Sequence, residues 1–169
     1  MPDAIERARL ARTWVERLGA RVPGFRGYLE RELRREVDQL LRAELARRLD
    51  QARDNVATYL RTLGLGVAGR IDRLAGVEKR LDMLANTLRH AGSGYAGVFD
   101  AVGIREEQLE ELYRYDLDLV ETVDGLVATT ERLAGEDAAL DALERAVGEL
   151  GGRTTGRDSV VKSVLGGVR

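Results

Sequence analysis

Apolar side chains recur every three or four residues along residues 28–63, which is the period of one face of an α-helix. No Pro or Gly interrupts this stretch. Its apolar positions are Leu29, Leu33, Val37, Leu40, Leu41, Leu45, Leu49, Ala52, Val56, Tyr59, Leu60 and Leu63. The pattern predicts a single helix of about ten turns. A helix of this length buries its stripe only against other helices or against a second copy of the chain.

Two further segments, residues 70–91 and 104–133, have the same period and predict two more long helices. The apolar positions of the first alternate by three and four, as in a coiled coil: Leu74, Val77, Leu81, Leu84, Leu88 and Ala91. In the second, Asp116 and Thr130 are polar members of the seam. Glycine-containing segments before and after residues 70–91 predict corners at which the chain reverses, so the three helices are expected to pack antiparallel.

Shorter helices are predicted near both ends, over residues 4–18 and 136–150. Residues 151–156 are rich in Gly and Thr and are expected to be flexible. We therefore predict an all-α fold, an elongated antiparallel helical bundle that resembles a coiled coil, with three long helices and shorter N- and C-terminal helices. In this prediction residues 1–150 form a single domain, and residues 151–169 form a flexible or short helical tail.

The chain has no Cys and a single His, which limits the chemistry open to a helical bundle. Disulfides, zinc ribbons and thiolate catalysis are excluded. A di-iron bundle needs two Glu-x-x-His pairs, but the residue three before His90 is Thr87. The dense acidic residues of segment 106–124 leave a carboxylate site for Mg²⁺ or Ca²⁺ open, although a solvated helix face explains them better. We expect no cofactor and no metal, and we favour a protein that is not an enzyme.

Residues 92–97 read Gly-Ser-Gly-Tyr-Ala-Gly and match the G-x-G-x-x-G fingerprint of dinucleotide-binding folds. That fingerprint functions between a strand and a helix, with an acidic residue at the end of a second strand. The preceding residues 83–91 have a helical period instead. We therefore interpret the glycines as a tight reversal between two helices.

Neither a signal segment nor a membrane span is predicted, because no apolar run approaches about 18 residues. The expectation is a cytoplasmic protein without a transmembrane segment. Nucleic-acid binding is disfavoured, because it requires a basic face and residues 28–50 hold six Arg and six acidic residues. Attachment to a membrane surface through the Arg-rich N-terminal helix or the C-terminal tail is a weaker alternative.

Charge is spread unevenly along the chain, although the net charge is −2. Residues 1–63 hold 14 Arg and 10 acidic residues, whereas residues 100–149 hold 4 Arg and 15 acidic residues. At physiological salt, opposite charges attract over about 8 Å. The positive helix region over residues 28–63 and the acidic region over residues 104–150 are therefore expected to lie against each other, or against their counterparts in a second chain.

The strongest candidate for a ligand-binding site is the segment around the second corner. Arg89, His90, Tyr95, Phe99 and Asp100 place polar and aromatic groups within twelve positions, among residues with small side chains. Functional residues are often found on loops that rigid elements hold in place. In the alternative interpretation, which we favour, the aromatic rings close the end of the bundle while the charged residues pair locally.

Asp116 is a further candidate because it lies on the seam of the third long helix. A carboxylate buried there needs an Arg partner to compensate for its lost hydration. Polar residues at such seam positions often fix the register of packed helices.

Two segments carry a resemblance to known proteins. One starts with Pro-Gly-Phe-Arg-Gly-Tyr at residues 23–28 and continues through Arg31, Glu32, Arg34, Arg35, Glu36 and Asp38. The other joins Arg-His-Ala at residues 89–91 to Gly-Tyr-Ala-Gly-Val-Phe-Asp at residues 94–100. Together they resemble a family of bacterial all-helical proteins, over roughly residues 20–135. The resemblance implies a helical fold and no known activity, so it assigns no catalytic residue.

These patterns favour a non-catalytic interaction or scaffold protein that associates with itself. The helix predicted over residues 28–63 exceeds its neighbour by about fourteen residues, or roughly 21 Å, and this excess leaves apolar surface to be covered. The partner would be another protein or a second copy of the chain. The alternative is a small-ligand or enzymatic site at the end of the bundle, around His90, Tyr95 and Asp100.

Overall fold

The computed structural model describes residues 15–25, 34–64, 67–91, 106–133 and 137–166. Within these ranges every regular element is a helix, so the predicted all-α class is confirmed. Parts of the predicted segments lie outside the described residues, namely residues 4–14 of the N-terminal helix, residues 26–33 and residues 92–105.

Five helices make up the described part of the chain. Helix α1 is described over residues 15–21. The four long helices are α2 (Arg34–Leu60), α3 (Ala68–His90), α4 (Glu106–Glu131) and α5 (Asp137–Gly166). The three long helices predicted from the apolar period correspond to α2, α3 and α4.

The four long helices form a four-sided bundle. Helix α2 packs against α3 and α4, and α5 packs against the other sides of α3 and α4, so that α2 lies diagonally opposite α5. Ion pairs join Arg53 to Asp82 and Arg48 to Asp124. The first pair and the pair between Arg89 and Asp50 show that α2 runs antiparallel to α3. The second pair and the hydrogen bond from Asn55 to Thr130 show that α2 runs parallel to α4. The pairs of Arg70 with Asp137 and of Arg73 with Glu144 show that α3 runs parallel to α5. Each helix therefore runs opposite to the next one along the chain, as the sequence predicted.

The core lies along the bundle axis and consists of the apolar seams of all four long helices. Its largest fully buried side chains include Leu41, Leu45, Leu49, Leu74, Leu81, Leu117, Leu119, Leu143 and Leu150. Burial of one such side chain contributes about 1.5–3 kcal/mol before the loss of chain entropy is subtracted. The three-four spacing thus identified most of the residues that hold the bundle together.

Helix α1 and the turn after it cover one side of the bundle. The turn contains Gly24, whose φ of 81° lies in the region that favours glycine. It brings Phe25 to the core, where its ring meets the ring of Tyr113 edge to face at a centroid distance of 6.3 Å. The predicted turn is present, but α1 continues to residue 21 instead of ending at Leu18.

The end predicted for the fifth helix at Leu150 is wrong, because α5 continues to Gly166 and is 30 residues long. The Gly- and Thr-rich residues 151–156 are helical rather than flexible. The reason is that the buried seam of α5 does not stop at Leu150. It continues at Thr154 and Arg157, which are 7% and 5% exposed.

Helix α2 was expected to extend beyond its neighbour and to leave apolar side chains exposed there. In the described part of α2 these side chains are buried. Helix α3 ends near the middle of α2, where Arg89 pairs with Asp50. Beyond that point Leu41 and Leu45 are nevertheless 1% and 0% exposed. Since α4 and α5 extend past the end of α3, a single chain buries this stripe without a second copy.

Candidate functional site

Four charged side chains meet in the interior of the bundle, in the part of it that extends beyond the end of α3. Asp38 and Arg42 come from α2, Asp116 from α4 and Arg157 from α5, and all four are buried. We call this set the Asp116 cluster. Buried charges need partners, because the loss of hydration costs several kcal/mol for each ion.

The charges of the Asp116 cluster alternate in a chain. Arg157 donates Nε to Asp116 Oδ1 at 2.7 Å and Nη2 to Asp116 Oδ2 at 3.1 Å, which is the two-pronged geometry of a strong pair. Nη2 of Arg157 also lies 2.7 Å from Asp38 Oδ1, across the diagonal of the bundle. Arg42 completes the chain through an ion pair of 2.5 Å with Asp38 Oδ2. Two cations face two anions, so the cluster carries no net charge.

The two carboxylates of the cluster are not held equally by Arg157. Asp38 Oδ1 has no hydrogen-bond donor, although the guanidinium lies at ion-pair distance. The guanidinium plane is aligned with Asp116 instead. Asp116 is therefore the directed partner of Arg157, and Asp38 is held by charge attraction and by Arg42.

The pKa values show how tightly charge is balanced in the cluster. Burial raises the pKa of Asp116 above its ordinary value, in spite of the opposing effect of the Arg157 charge. For Arg157, burial acts to lower the pKa, but the attraction of Asp116 and Asp38 outweighs it and raises the pKa. Arg157 is thus a permanent cation at the contact of three helices.

A hydrogen bond next to the cluster ties α4 to α5. Tyr115 donates its hydroxyl to the backbone carbonyl of Arg153 at 2.6 Å. This approach needs glycine at position 156, since a Cβ there would lie 2.5 Å from the Tyr115 hydroxyl oxygen. Burial raises the pKa of Tyr115, so its hydroxyl keeps the proton that it donates.

Of the six residues predicted as a ligand site, the structure describes Arg89, His90 and Asp116. Arg89 and His90 are exposed at the end of α3, and Tyr95, Phe99 and Asp100 lie outside the described residues. Arg89 pairs with Asp50 and donates to the Asn86 side chain at 3.0 Å. His90 Nδ1 lies 2.8 Å from the Asn86 carbonyl oxygen. Both make local contacts within the bundle.

Asp116, the sixth predicted residue, is buried and forms an ion pair with Arg157. A carboxylate on an apolar seam was expected to need such an arginine partner. Neither Arg89 nor His90 forms an ion pair or hydrogen bond with Asp116 among the described contacts. Sequence reasoning missed Asp38, Arg42 and Arg157. A usable signal existed for Arg157, since it continues the three-four spacing of α5 seven residues after Leu150.

A groove of about 320 Å³ lies between α1, α2 and α4 and is lined partly by Arg21, Arg47 and Arg48. These arginines are neutralised by carboxylates that lie beside them. Arg21 donates to Asp124 at 2.9 Å, Arg48 pairs with Asp124 and Glu44, and Arg47 donates to Glu44 at 2.8 Å. The groove is accordingly a place where the basic and acidic regions of the chain meet.

The fold and the cluster together define an all-α helical bundle with a buried ion-pair chain joining three of its helices. Comparison with protein-family models, with curated proteins and with solved structures found no match. In the described helices, no segment is long and apolar enough to cross a membrane. Over the same residues, no group of three potential ligands is arranged to hold a metal ion.

Proposed function

We propose that the protein is a non-catalytic scaffold in the cytoplasm that acts by binding other proteins, first of all a second copy of itself. The observation that carries the proposal is the outer face of α3. Met83 on this face is 59% exposed, and it is one of two exposed large hydrophobic side chains among the described residues.

Met83 lies on the outer face of α3, which we define by Gly76, Lys79, Arg80 and Met83. All four are exposed. A Cβ at Gly76 would meet nothing within 4 Å, so the packing of this chain does not require glycine there. A flexible Met suits contact with another helix, and the aliphatic stems of Lys79 and Arg80 can add apolar surface beside it.

Ion pairs between helices support a rigid role for the bundle. Arg48 pairs with Asp124, so the basic helix region and the acidic region lie against each other as predicted. Arg17 and Arg21 pair with Glu121, and Arg73 pairs with Glu144. Each exposed pair contributes at most about 1 kcal/mol. Their combined effect is to select which helices lie side by side.

The test is the mass of the protein in solution, measured by light scattering or sedimentation equilibrium over a series of concentrations. The unaltered chain is expected to form a dimer in the micromolar range. Met83→Asp should weaken the dimer about tenfold or more, because a charge would be buried between two copies. Ala142→Asp places the same charge on the exposed surface of α5 and should leave the dimer unchanged.

A protein that stays monomeric well above micromolar concentration contradicts self-association. Equal weakening by both substitutions contradicts the assignment to the outer face of α3, because the effect would then follow from net charge alone. Circular dichroism of both variants should show the same helix content as the unaltered chain, since both positions are exposed.

A further inference from the structure

Two side chains of opposite charge lie on the exposed side of α3, two turns apart. Asp72 and Lys79 are both exposed, and neither forms an ion pair among the described residues. Seven residues separate them, which is about 10 Å along the helix, so they are too far apart to pair with each other. Other charges of α3 are used within the chain, since Arg70, Arg73 and Arg89 pair with carboxylates of α2 or α5. Asp72 and Lys79 are therefore available to a second molecule.

The order of these two charges favours one orientation for a contact between two copies through α3. In a parallel contact each Asp72 would face the other Asp72, and each Lys79 the other Lys79, so like charges would repel. In an antiparallel contact about a twofold axis, Asp72 of each copy faces Lys79 of the other, and two attractive pairs form. This register places the axis midway between the two positions, beside Gly76.

The same register fits the sizes of the other side chains on this side of α3. The two helices cross at Gly76, which is exposed and has no side chain, so the backbones can approach closely. Met83, which is 59% exposed, then lies opposite Ala68 and Gly69 of the second copy. Both of these residues are exposed, and a Cβ at Gly69 would meet nothing within 4 Å, so the long methionine side chain has room.

From these observations we infer the geometry of the self-association proposed above, on which this inference rests. Two copies of the chain pack α3 against α3, antiparallel about a twofold axis beside Gly76, with Asp72 and Lys79 paired in both directions. The contact extends over residues 68–83, or about 24 Å of helix. Each exposed ion pair contributes little affinity, so the charges fix orientation and register, whereas Met83 supplies apolar surface that becomes buried.

Reversal of the two charges, one at a time, tests the register. Asp72→Lys makes two lysines face each other in both pairs, and Lys79→Asp makes two aspartates face each other there. Each variant alone should dimerise about tenfold more weakly than the unaltered chain, or more weakly still. An equimolar mixture of the two variants should regain about the affinity of the unaltered chain, because in the mixed dimer every lysine again faces an aspartate. Sedimentation equilibrium at several concentrations measures each association constant.

Glu149→Lys and Lys162→Asp are the matched controls, since they make the same changes of charge at exposed positions of α5. Neither should weaken the dimer. Equal weakening by the controls overturns the inference, because net charge alone would then explain the effect.

The mixture of Asp72→Lys and Lys79→Asp separates this inference from the proposed function. If the unaltered chain dimerises but the mixture stays as weak as each variant alone, the inferred register is wrong and self-association stands. If the unaltered chain stays monomeric, both are wrong.

A single introduced cysteine gives a second measurement of the register, because the chain has no cysteine of its own. In the inferred contact the two copies of position 76 face each other beside the axis, at a distance that a disulfide can span. Gly76→Cys should therefore form a linked dimer rapidly in the presence of oxidised glutathione. Thr87→Cys is also at an exposed position and should link much more slowly, since its two copies lie about 30 Å or more apart along the antiparallel helices. Equal rates of linkage overturn the antiparallel arrangement, because in a parallel contact both positions would face their own copies.

Discussion

Residues 137–150 and 151–166 are the two halves of one continuous helix, α5. Their described buried side chains differ in kind, since the first half buries aliphatic side chains and the second half buries polar ones. The first half buries four aliphatic side chains, whose contribution is proportional to area and independent of direction. The second half buries Arg157, whose pairing requires one orientation against Asp116. Apolar seams tolerate small shifts along the helix axis, whereas a two-pronged ion pair is satisfied in one register.

The difference shows that burial alone does not tell what a contact does. Leu150 and Arg157 are both inaccessible to water, at 0% and 5% exposure. The leucine stabilises the fold, whereas the arginine restores much of the free energy that its own burial and that of its partners cost. Arg157 therefore fixes the position of the helix more than it stabilises it.

The largest expected effects come from replacing one buried side chain in each half of α5, the arginine in the second half and a leucine in the first. Arg157→Met should destabilise the protein by about 3–5 kcal/mol, since it leaves two buried carboxylates with a single arginine. Leu143→Ala should cost about 2–5 kcal/mol through a cavity in the core. Chemical denaturation monitored by circular dichroism gives both values. A cost below about 1 kcal/mol for Arg157→Met would show that the cluster is hydrated and contradict the comparison.

Replacing a glycine of α5 with alanine is expected to change the stability less. The replacement should destabilise the protein at one position and stabilise it at another. Gly156→Ala should destabilise by about 1–3 kcal/mol, because the new Cβ meets the Tyr115 hydroxyl at 2.5 Å. Gly148→Ala should stabilise by up to about 1 kcal/mol, since nothing lies within 4 Å of its Cβ. Thermal denaturation compares the two.

Equal effects of the two glycine replacements would mean that Tyr115 moves away at no cost. In that case Tyr115→Phe should also be neutral, because the hydrogen bond to the Arg153 carbonyl would contribute nothing. Loss of stability in Tyr115→Phe alone would keep the hydrogen bond and reject the steric argument for Gly156.

The smallest expected effect concerns acid. The pKa of Glu144 in the first half of α5 is lowered, chiefly by its hydrogen bond with Arg73, whereas burial raises the pKa of Asp116. Glu144 thus contributes stability above its unfolded pKa, and this contribution is lost as pH falls through the lower folded value. Asp116 acts in the opposite sense, since protonation relieves the burial of its charge. As pH falls through the range in which these carboxyl groups titrate, the free energy of unfolding should lose the contribution of Glu144 and gain one from protonation of Asp116.

Carbon-detected NMR titration of the two carboxyl groups assigns each slope to its residue. Glu144 should titrate below, and Asp116 above, the values of the same residues in the unfolded chain. Arg73→Gln should return Glu144 toward its ordinary pKa and leave Asp116 unchanged. An Asp116 that titrates below its ordinary value would show that Arg157 outweighs burial, and would remove the contrast between the two halves.

The site was predictable only in part. The seam position of Asp116 implied an arginine partner, and Arg157 supplies it. The identity of that partner could not be read from the sequence, since Arg157 follows a Gly- and Thr-rich stretch that indicates flexibility. Asp38 and Arg42 are one turn apart in a helix with many charges, and nothing local distinguishes them from solvated residues. The role of the segment containing Tyr95, Phe99 and Asp100 stays a prediction.

By itself the sequence determined the all-α class, the three helices with apolar seams and the attraction between basic and acidic regions, because apolar period and charge are properties of each segment alone. The tertiary structure decided where α5 ends and which charges meet inside the bundle. The physical reason is that a buried arginine in a glycine-rich part of a helix needs partners that complete its ion pairs. Those partners lie more than forty residues away in the chain, at Asp116 and Asp38.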